Sequence, residues 1–218
     1  MTVIRIFDDH AAPEAATGVS RLTGLFQPQP LSYPAVDTVV SHWEVLRGQK
    51  LAPARAQIDP RCLGDCLDKL FIAEQVAPGI ARFRLCGQQF TNLLGMEPRG
   101  MPLSVLFAHE ARGNLAAALR QVAQGVRAVL PLRAEKGLGR PGMDGLLALM
   151  PLTDHEGNIT RILGVMETHG QVGHAPRKFR LTTPLPQGME RQTSAPAPAP
   201  ERPSAKPLLR VLKGGLSA

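Results

Sequence analysis

Residues 151–165 read P-L-T-D-H-E-G-N-I-T-R-I-L-G-V, and this stretch decides the fold. A polar run that contains Gly157 and Asn158 joins two apolar runs, 146–152 and 159–166. Glycine and asparagine tolerate the left-handed backbone that a tight loop between antiparallel strands requires. The sequence therefore predicts a β-hairpin, with strands over about 144–152 and 159–168.

The second strand of this hairpin is apolar on both faces. Ile162 and Met166 lie on one face, and Leu163 and Val165 lie on the other. One face is expected to cover the core, so the other needs a lid. We expect a helix centred on Trp43 to supply that lid, within the chain or across a dimer, and to support homodimerisation.

Hydrophobic periodicity predicts a series of further elements before the hairpin. Asp37 is a suitable N-cap for the first of them, and Gly48 ends it. The predicted elements are a helix over 38–47, a turn and short helix over 53–67, strands over 69–76 and 80–86, short helices over 88–94 and 102–107, a long helix over 109–124, and a strand over 126–135.

Two of these strands carry further information. In the strand over 80–86, simple alternation places Phe83 and Leu85 on one face. Pro131 lies within the strand over 126–135, and proline has no N–H to donate to a neighbouring strand. We therefore expect the Pro131 strand to lie at an edge of the sheet.

The order of these elements, together with the closing run D-x-E-G-x-I-x-x-I-L-G-V at 154–165, resembles a PAS domain. The chain also resembles a group of small alphaproteobacterial PAS proteins in four shorter motifs. These motifs are H-W-E-x-L-R-G at 42–48, P-x-R-x-x-I-D-P at 53–60, L-F-I at 70–72 and F-R-L-C-G at 83–87. The resemblance implies an α+β fold with a five-stranded antiparallel sheet in the order 2-1-5-4-3, helices on one face, and flexible N- and C-terminal tails.

This reading divides the chain into three parts. Residues 1–35 are expected to form an irregular extension, and residues 36–170 the PAS-like domain. Residues 171–218 are expected to form a proline-rich, basic, disordered tail. The tail ends in an apolar and basic cluster at 207–215, called the tail motif below. This motif either docks into a partner, packs on the domain's own sheet, or is an apolar terminus without a binding role. Its apolar residues are Leu208, Leu209, Val211 and Leu212.

The net charge of +7 is unevenly distributed along the chain. Residues 173–218 carry eight basic and two acidic side chains, whereas residues 36–172 carry fifteen and thirteen. The basic character therefore belongs to the predicted tail, which disfavours nucleic acid as the partner of the domain.

The cysteines and the apolar runs bear on location and metal binding. Cys62, Cys66 and Cys86 form an odd set, which suits a reducing compartment. Cys62 and Cys66 are spaced to share one side of a helix, but a zinc site would need two more ligands, so ordinary cysteines are favoured. Since no apolar run approaches the length of a membrane span, we expect a cytoplasmic protein without one.

The residues that point into the predicted core either line a ligand cavity or fill that core, and packing is favoured. These candidates are Phe83, Leu85, Phe90, Leu94, Leu115, Leu119, Leu130 and Leu132.

No catalytic motif is recognisable in the sequence. PAS proteins that bind flavin covalently have a reactive cysteine after the second strand, whereas Cys86 precedes that position. His109 is the only histidine placed to act as a haem ligand, and an exposed role is favoured for it. No cofactor is favoured. We therefore predict a non-enzymatic sensory or adaptor protein that regulates signalling or transcription through a protein partner, with possible modulation by a small ligand. A haem or flavin sensor and a nucleic-acid-binding regulator are the alternatives.

Overall fold

The structure is a computed structural model that describes residues 31–182. Its α-helices are α1 (Pro34–Arg47), α2 (Gln88–Leu94) and α3 (Arg112–Ala123). Its strands are β1 (Leu70–Ala77), β2 (Ile80–Cys86), β3 (Ala128–Ala134), β4 (Met143–Thr153), β5 (Ile159–His169) and β6 (Arg180–Leu181). Short 3-10 helices span Arg55–Gln57, Pro60–Lys69, Leu103–Leu106 and His109–Ala111.

The strands form one antiparallel sheet in the order β2-β1-β5-β4-β3-β6, which confirms the predicted 2-1-5-4-3 arrangement. The hairpin β4–β5 lies where the sequence predicts it. In its loop, Asp154 Oδ1 accepts hydrogen bonds from the backbone N–H groups of Glu156 and Asn158, each at 2.9 Å. Gly157 has a φ of 84°, the left-handed conformation that glycine favours.

The prediction that the Pro131 strand lies at the sheet edge was wrong by one strand. β6 pairs with β3 through Leu132 and Arg133, so β3 is the next-to-last strand. The backbone N–H of Thr182 donates to the carbonyl of Pro131 at 3.1 Å. Since the N and C=O of one residue face the same side of a strand, the Pro131 nitrogen faces β6 rather than β4. The missing donor thus lies on the outer side of β3, next to the two residues that pair with β6.

The sheet is covered on both faces: the family resemblance implied helices on one, and the Trp43 helix was expected to cover the other. α2 and α3 pack on the face that carries Ile162 and Met166. α1 and the 3-10 helix Pro60–Lys69 pack on the face that carries Leu163 and Val165. The alternation predicted for β5 is therefore confirmed, and both of its apolar faces are buried within the chain.

The packed part of the chain extends past residue 170, where the prediction ended the domain. The backbone N–H groups of Arg177 and Phe179 donate to the carbonyls of Leu93 and Leu106, at 2.7 and 2.8 Å. Both side chains are buried. Three of the eight cations assigned to the tail, at positions 177, 178 and 180, therefore belong to the folded domain.

α1 begins at Pro34, four residues before the predicted start. Proline suits the first position of a helix because it has no N–H that would need a partner there. The next N–H, of Ala35, donates to the Glu167 carboxylate on β5 at 2.9 Å. The cap of this helix therefore comes from a residue far away in the sequence, which local patterning does not reveal.

Candidate functional site

The space between the sheet and the α2–α3 layer is filled by packed side chains. The rings of Phe71, Phe83 and Phe90 meet edge to face or tilted, with centroids 5.1 to 5.9 Å apart. The ring of Phe71 also lies directly over Gly164 on β5. Seven of the eight candidate cavity residues are buried in this core, namely Phe83, Phe90, Leu94, Leu115, Leu119, Leu130 and Leu132.

Leu85 is the exception, and its predicted position was wrong. The pairing of β2 with β1 shifts between Phe83, which is opposite Ala73, and Leu85, which is opposite Ile72. One extra residue, Arg84, therefore bulges out of the ladder, and a bulge reverses the alternation of side chains beyond it. Leu85 consequently points to the opposite face of the sheet from Phe83 and is 54% exposed.

Leu85 belongs to an open groove between the 3-10 helix Pro60–Lys69 and strands β1 and β2. This outer groove has a volume of about 200 Å³. It is lined by Arg55, Ile58, Pro60, Leu63, Leu67, Leu70, Phe71, Ile72, Leu85, Cys86, Gly87 and Leu163. Leu67, on its rim, is 44% exposed. The outer groove is thus an apolar surface depression that local patterning did not predict, because the bulge that exposes Leu85 depends on strand register.

Gly87 holds the floor of this groove close to the 3-10 helix. Its backbone N–H donates to the carbonyl of Leu70 at 2.8 Å. A Cβ atom at this position would lie 2.2 Å from the carbonyl oxygen of Asp68. Only glycine permits so close an approach of two backbone segments.

Beside the outer groove, α1 covers the rest of this sheet face. Trp43 is buried, and its indole N–H donates to the carbonyl of Pro151 at 2.9 Å. The Trp43 side chain shares one apolar cluster with Leu163 and Val165. The lid predicted for this face is therefore supplied within the chain. Homodimerisation stays a prediction, and because these three residues are buried, a dimer would have to use another surface.

Glu167 joins the N-terminus of α1 to the sheet and to the 3-10 helix. One carboxylate oxygen accepts from Ala35 N–H, and the other accepts from Lys69 Nζ at 2.7 Å. Burial alone raises the pKa of such a carboxyl, but the hydrogen bonds from Lys69 and from the backbone outweigh it and lower the pKa of Glu167. The lowered pKa favours the charged carboxylate of Glu167 at neutral pH.

The three free cysteines differ in exposure and environment. Cys62 is exposed, Cys66 is buried, and residues 31–182 contain no cluster of three or more metal-ligating side chains. Burial, with Glu97 adding to it, raises the pKa of the Cys86 thiol to about 12. Since the thiolate is the nucleophilic form of cysteine, the raised pKa disfavours Cys86 as a nucleophile at neutral pH.

His109, the histidine considered as a haem ligand, lies at the surface, and so does His155. His109 begins the 3-10 helix that precedes α3 and is exposed. His155 lies in the exposed β4–β5 loop, where its Nε2 is 3.7 Å from Glu156 Oε1.

Arg177 was missed by the sequence reasoning. Its guanidinium is buried and donates to the carbonyls of Val172 and Pro141, at 2.6 and 2.5 Å. Burial, with Arg140 nearby, lowers the pKa of Arg177. The residue ties the segment after β5 to the β3–β4 loop. The signal that could have found this segment is the alternation of Phe179 and Leu181 within a basic run.

Comparison with known proteins identifies the family to which this architecture belongs. A family profile described as PAS domain matches residues 31–167, which include α1 and both sides of the outer groove. The chain belongs to the PAS domain family. The resemblance seen in the sequence is thus confirmed at the level of the family.

Solved structures with a similar fold include several light-oxygen-voltage (LOV) domains. The light-state Aureochrome1 LOV domain, from a blue-light photoreceptor, is 17% identical, and the match covers 51% of this chain and 88% of that chain with a TM-score of 0.38. The LOV domain of the Erythrobacter litoralis EL346 blue-light activated histidine kinase is 18% identical, and the match covers 47% of this chain and 95% of that chain with a TM-score of 0.36. An RNA-binding LOV receptor is 17% identical, and the match covers 53% of this chain and 35% of that chain with a TM-score of 0.38. No curated protein matches the PAS-domain chain.

Two further predictions concern membrane spans and the chain termini. Within residues 31–182, no helix combines the length and the apolar character needed to cross a membrane. The tail motif, with Leu208, Leu209, Val211 and Leu212, lies outside the described residues, as does the N-terminal extension before residue 31.

Proposed function

We propose that this PAS protein is a sensory or adaptor protein that acts without catalysis, by binding a signalling or regulatory protein in the cytoplasm. The observation that carries the proposal is the outer groove. Leu67 and Leu85 are large aliphatic side chains that remain about half exposed at its rim. The three free cysteines suit the reducing compartment that the proposal assumes.

An exposed apolar groove of this kind suits a protein partner. An aliphatic side chain of the partner, inserted into the groove, would contact Leu63, Leu67 and Leu85 together. This contact removes apolar surface from water, which contributes roughly 25 cal/mol per Å² to the binding free energy. Fully buried apolar centres with polar rims are typical of protein interfaces. The acidic side chains of Asp65 and Asp68 lie exposed on the 3-10 helix and supply part of such a rim. A small apolar ligand bound in the groove would compete with the protein partner for this site and so modulate partner binding.

The test uses the full chain and one substitution inside the groove. Leu85→Asp places a charge where a partner's apolar side chain would lie, and it should fold because Leu85 is 54% exposed. The matched control is Leu138→Asp, at a leucine that is 99% exposed and outside the groove. We expect cross-linked partners captured in cells by the wild type and the control to be lost from Leu85→Asp. Equal capture by all three chains would refute the proposal.

A further inference from the structure

We propose that the tail motif of the same chain occupies the outer groove whenever no partner is bound there. The proposal rests on the proposed function only in that both concern the same groove. Three observations lead to it: the apolar pattern of the motif, the reach of the chain that precedes it, and the charge beside the groove.

The pattern of the motif matches the chemistry of the groove. Leu208, Leu209, Val211 and Leu212 are four aliphatic residues within five positions. Spacings of three and four residues (208/211, 208/212 and 209/212) place such side chains along one side when a segment binds as a helical turn. The outer groove offers an aliphatic surface of the same kind, where Leu67 and Leu85 have no other cover within residues 31–182.

The chain between the domain and the motif has the length needed to reach. Thr182 follows β6 at one edge of the sheet, and the groove lies beside β2 at the other edge. Five strand spacings separate these edges, or about 24 Å at about 4.8 Å each. The 25 residues from 183 to 207 include seven prolines, and a proline-rich linker of this length would span up to about 78 Å at about 3.1 Å per residue, more than the distance to the groove. A tethered motif that can reach its site is held there at a high effective concentration, which favours the chain's own motif over a second copy.

The charges favour one orientation. Arg210 and Lys213 flank the aliphatic residues of the motif. Asp65 and Asp68 lie exposed on the 3-10 helix, and neither forms an ion pair within residues 31–182. Arg61 lies exposed at the start of the same helix and Arg55 lines the groove, so the acidic side is confined to the second half of this helix, where Lys69 is already paired with Glu167. Surface ion pairs contribute little affinity, and their effect here is to align the motif along the 3-10 helix.

Methyl NMR on the full chain tests the proposal. The test variant is the double substitution Leu209→Asp/Leu212→Asp, and the matched control is Leu216→Asp, which lies just beyond the tail motif. We expect the methyl signals of Leu67 and Leu85 to shift in the double variant and to stay in place in the control. The wild-type signals should not change on tenfold dilution.

A synthetic peptide of residues 205–215 provides the second measurement. Added to the double variant, it should return the groove signals to their wild-type positions. The same peptide with Leu209→Asp should bind at least about tenfold more weakly, since one buried leucine is lost.

The outcomes separate this proposal from the proposed function. Groove signals that are identical in the wild type and the double variant would overturn the tail proposal. Wild-type signals that move on dilution would overturn docking within one chain and indicate a second copy in the groove. If the tail proposal fails while Leu85→Asp still loses its partner, the proposed function stands.

Discussion

Replacing Trp43 tests how firmly α1 is attached to the outer face of the sheet. Trp43→Ala removes a buried side chain and leaves a cavity, which costs about 3–5 kcal/mol in other protein cores. It also leaves the buried carbonyl of Pro151 without its donor. Since small domains are stable by only about 5–15 kcal/mol, this loss should be a large part of the free energy of unfolding. Equilibrium urea unfolding followed by far-UV circular dichroism measures it.

Two further variants separate the contributions. Trp43→Phe keeps most of the apolar contact but removes the indole N–H, so it should cost about 1–3 kcal/mol for the unpaired carbonyl and the lost area. Val45→Ala changes an 80% exposed position of the same helix and should stay within about 0.5 kcal/mol of the wild type. If Trp43→Ala lowers the free energy of unfolding by less than about 1 kcal/mol, and the slope of that free energy against urea concentration is unchanged, the docking of α1 described above is refuted.

Three other predictions follow from the structure. Gly164→Ala would place a Cβ atom 2.0 Å from Cζ of the Phe71 ring and should destabilise the domain by about 1–3 kcal/mol or more in urea unfolding. The control Gly113→Ala, at a helical site with open space, should not destabilise it. Equal effects of the two substitutions would contradict the packing of Phe71 on β5. The lowered pKa of Glu167 means that its contribution to stability is present above the ordinary carboxyl value of 4.5 and is lost as the pH falls through the lowered pKa. Glu167→Gln should therefore flatten the acid limb of the stability profile, and an unchanged limb would count against the role of this carboxylate. In thiol labelling of the native protein at neutral pH, the exposed Cys62 should react much faster than Cys86, and the reverse order would be incompatible with the raised pKa of Cys86.

Elements with strong local patterns were predictable from the sequence. The β4–β5 hairpin, β2 and α2 lie where turn residues and periodicity place them, because the local preference and the packed structure agree. The sheet order came from the family resemblance and was confirmed.

The features that shape the outer groove were not predictable in this way. The bulge at Arg84 depends on the register between two strands, so alternation alone assigned Leu85 to the wrong face. The early start of α1 depends on Glu167, and the packing of Arg177 depends on carbonyls of a distant loop. The last two depend on partners far away in the sequence, whereas the bulge depends on the register of the β1–β2 hairpin, and the groove follows from that register.

The central claim of this account is that the outer groove binds the protein partner. Its most direct test is the affinity of a captured partner, purified and titrated into the full chain by calorimetry. We predict that Leu85→Asp weakens binding at least about tenfold relative to the wild type, while Leu138→Asp leaves it unchanged. Equal affinities for all three chains would contradict the claim.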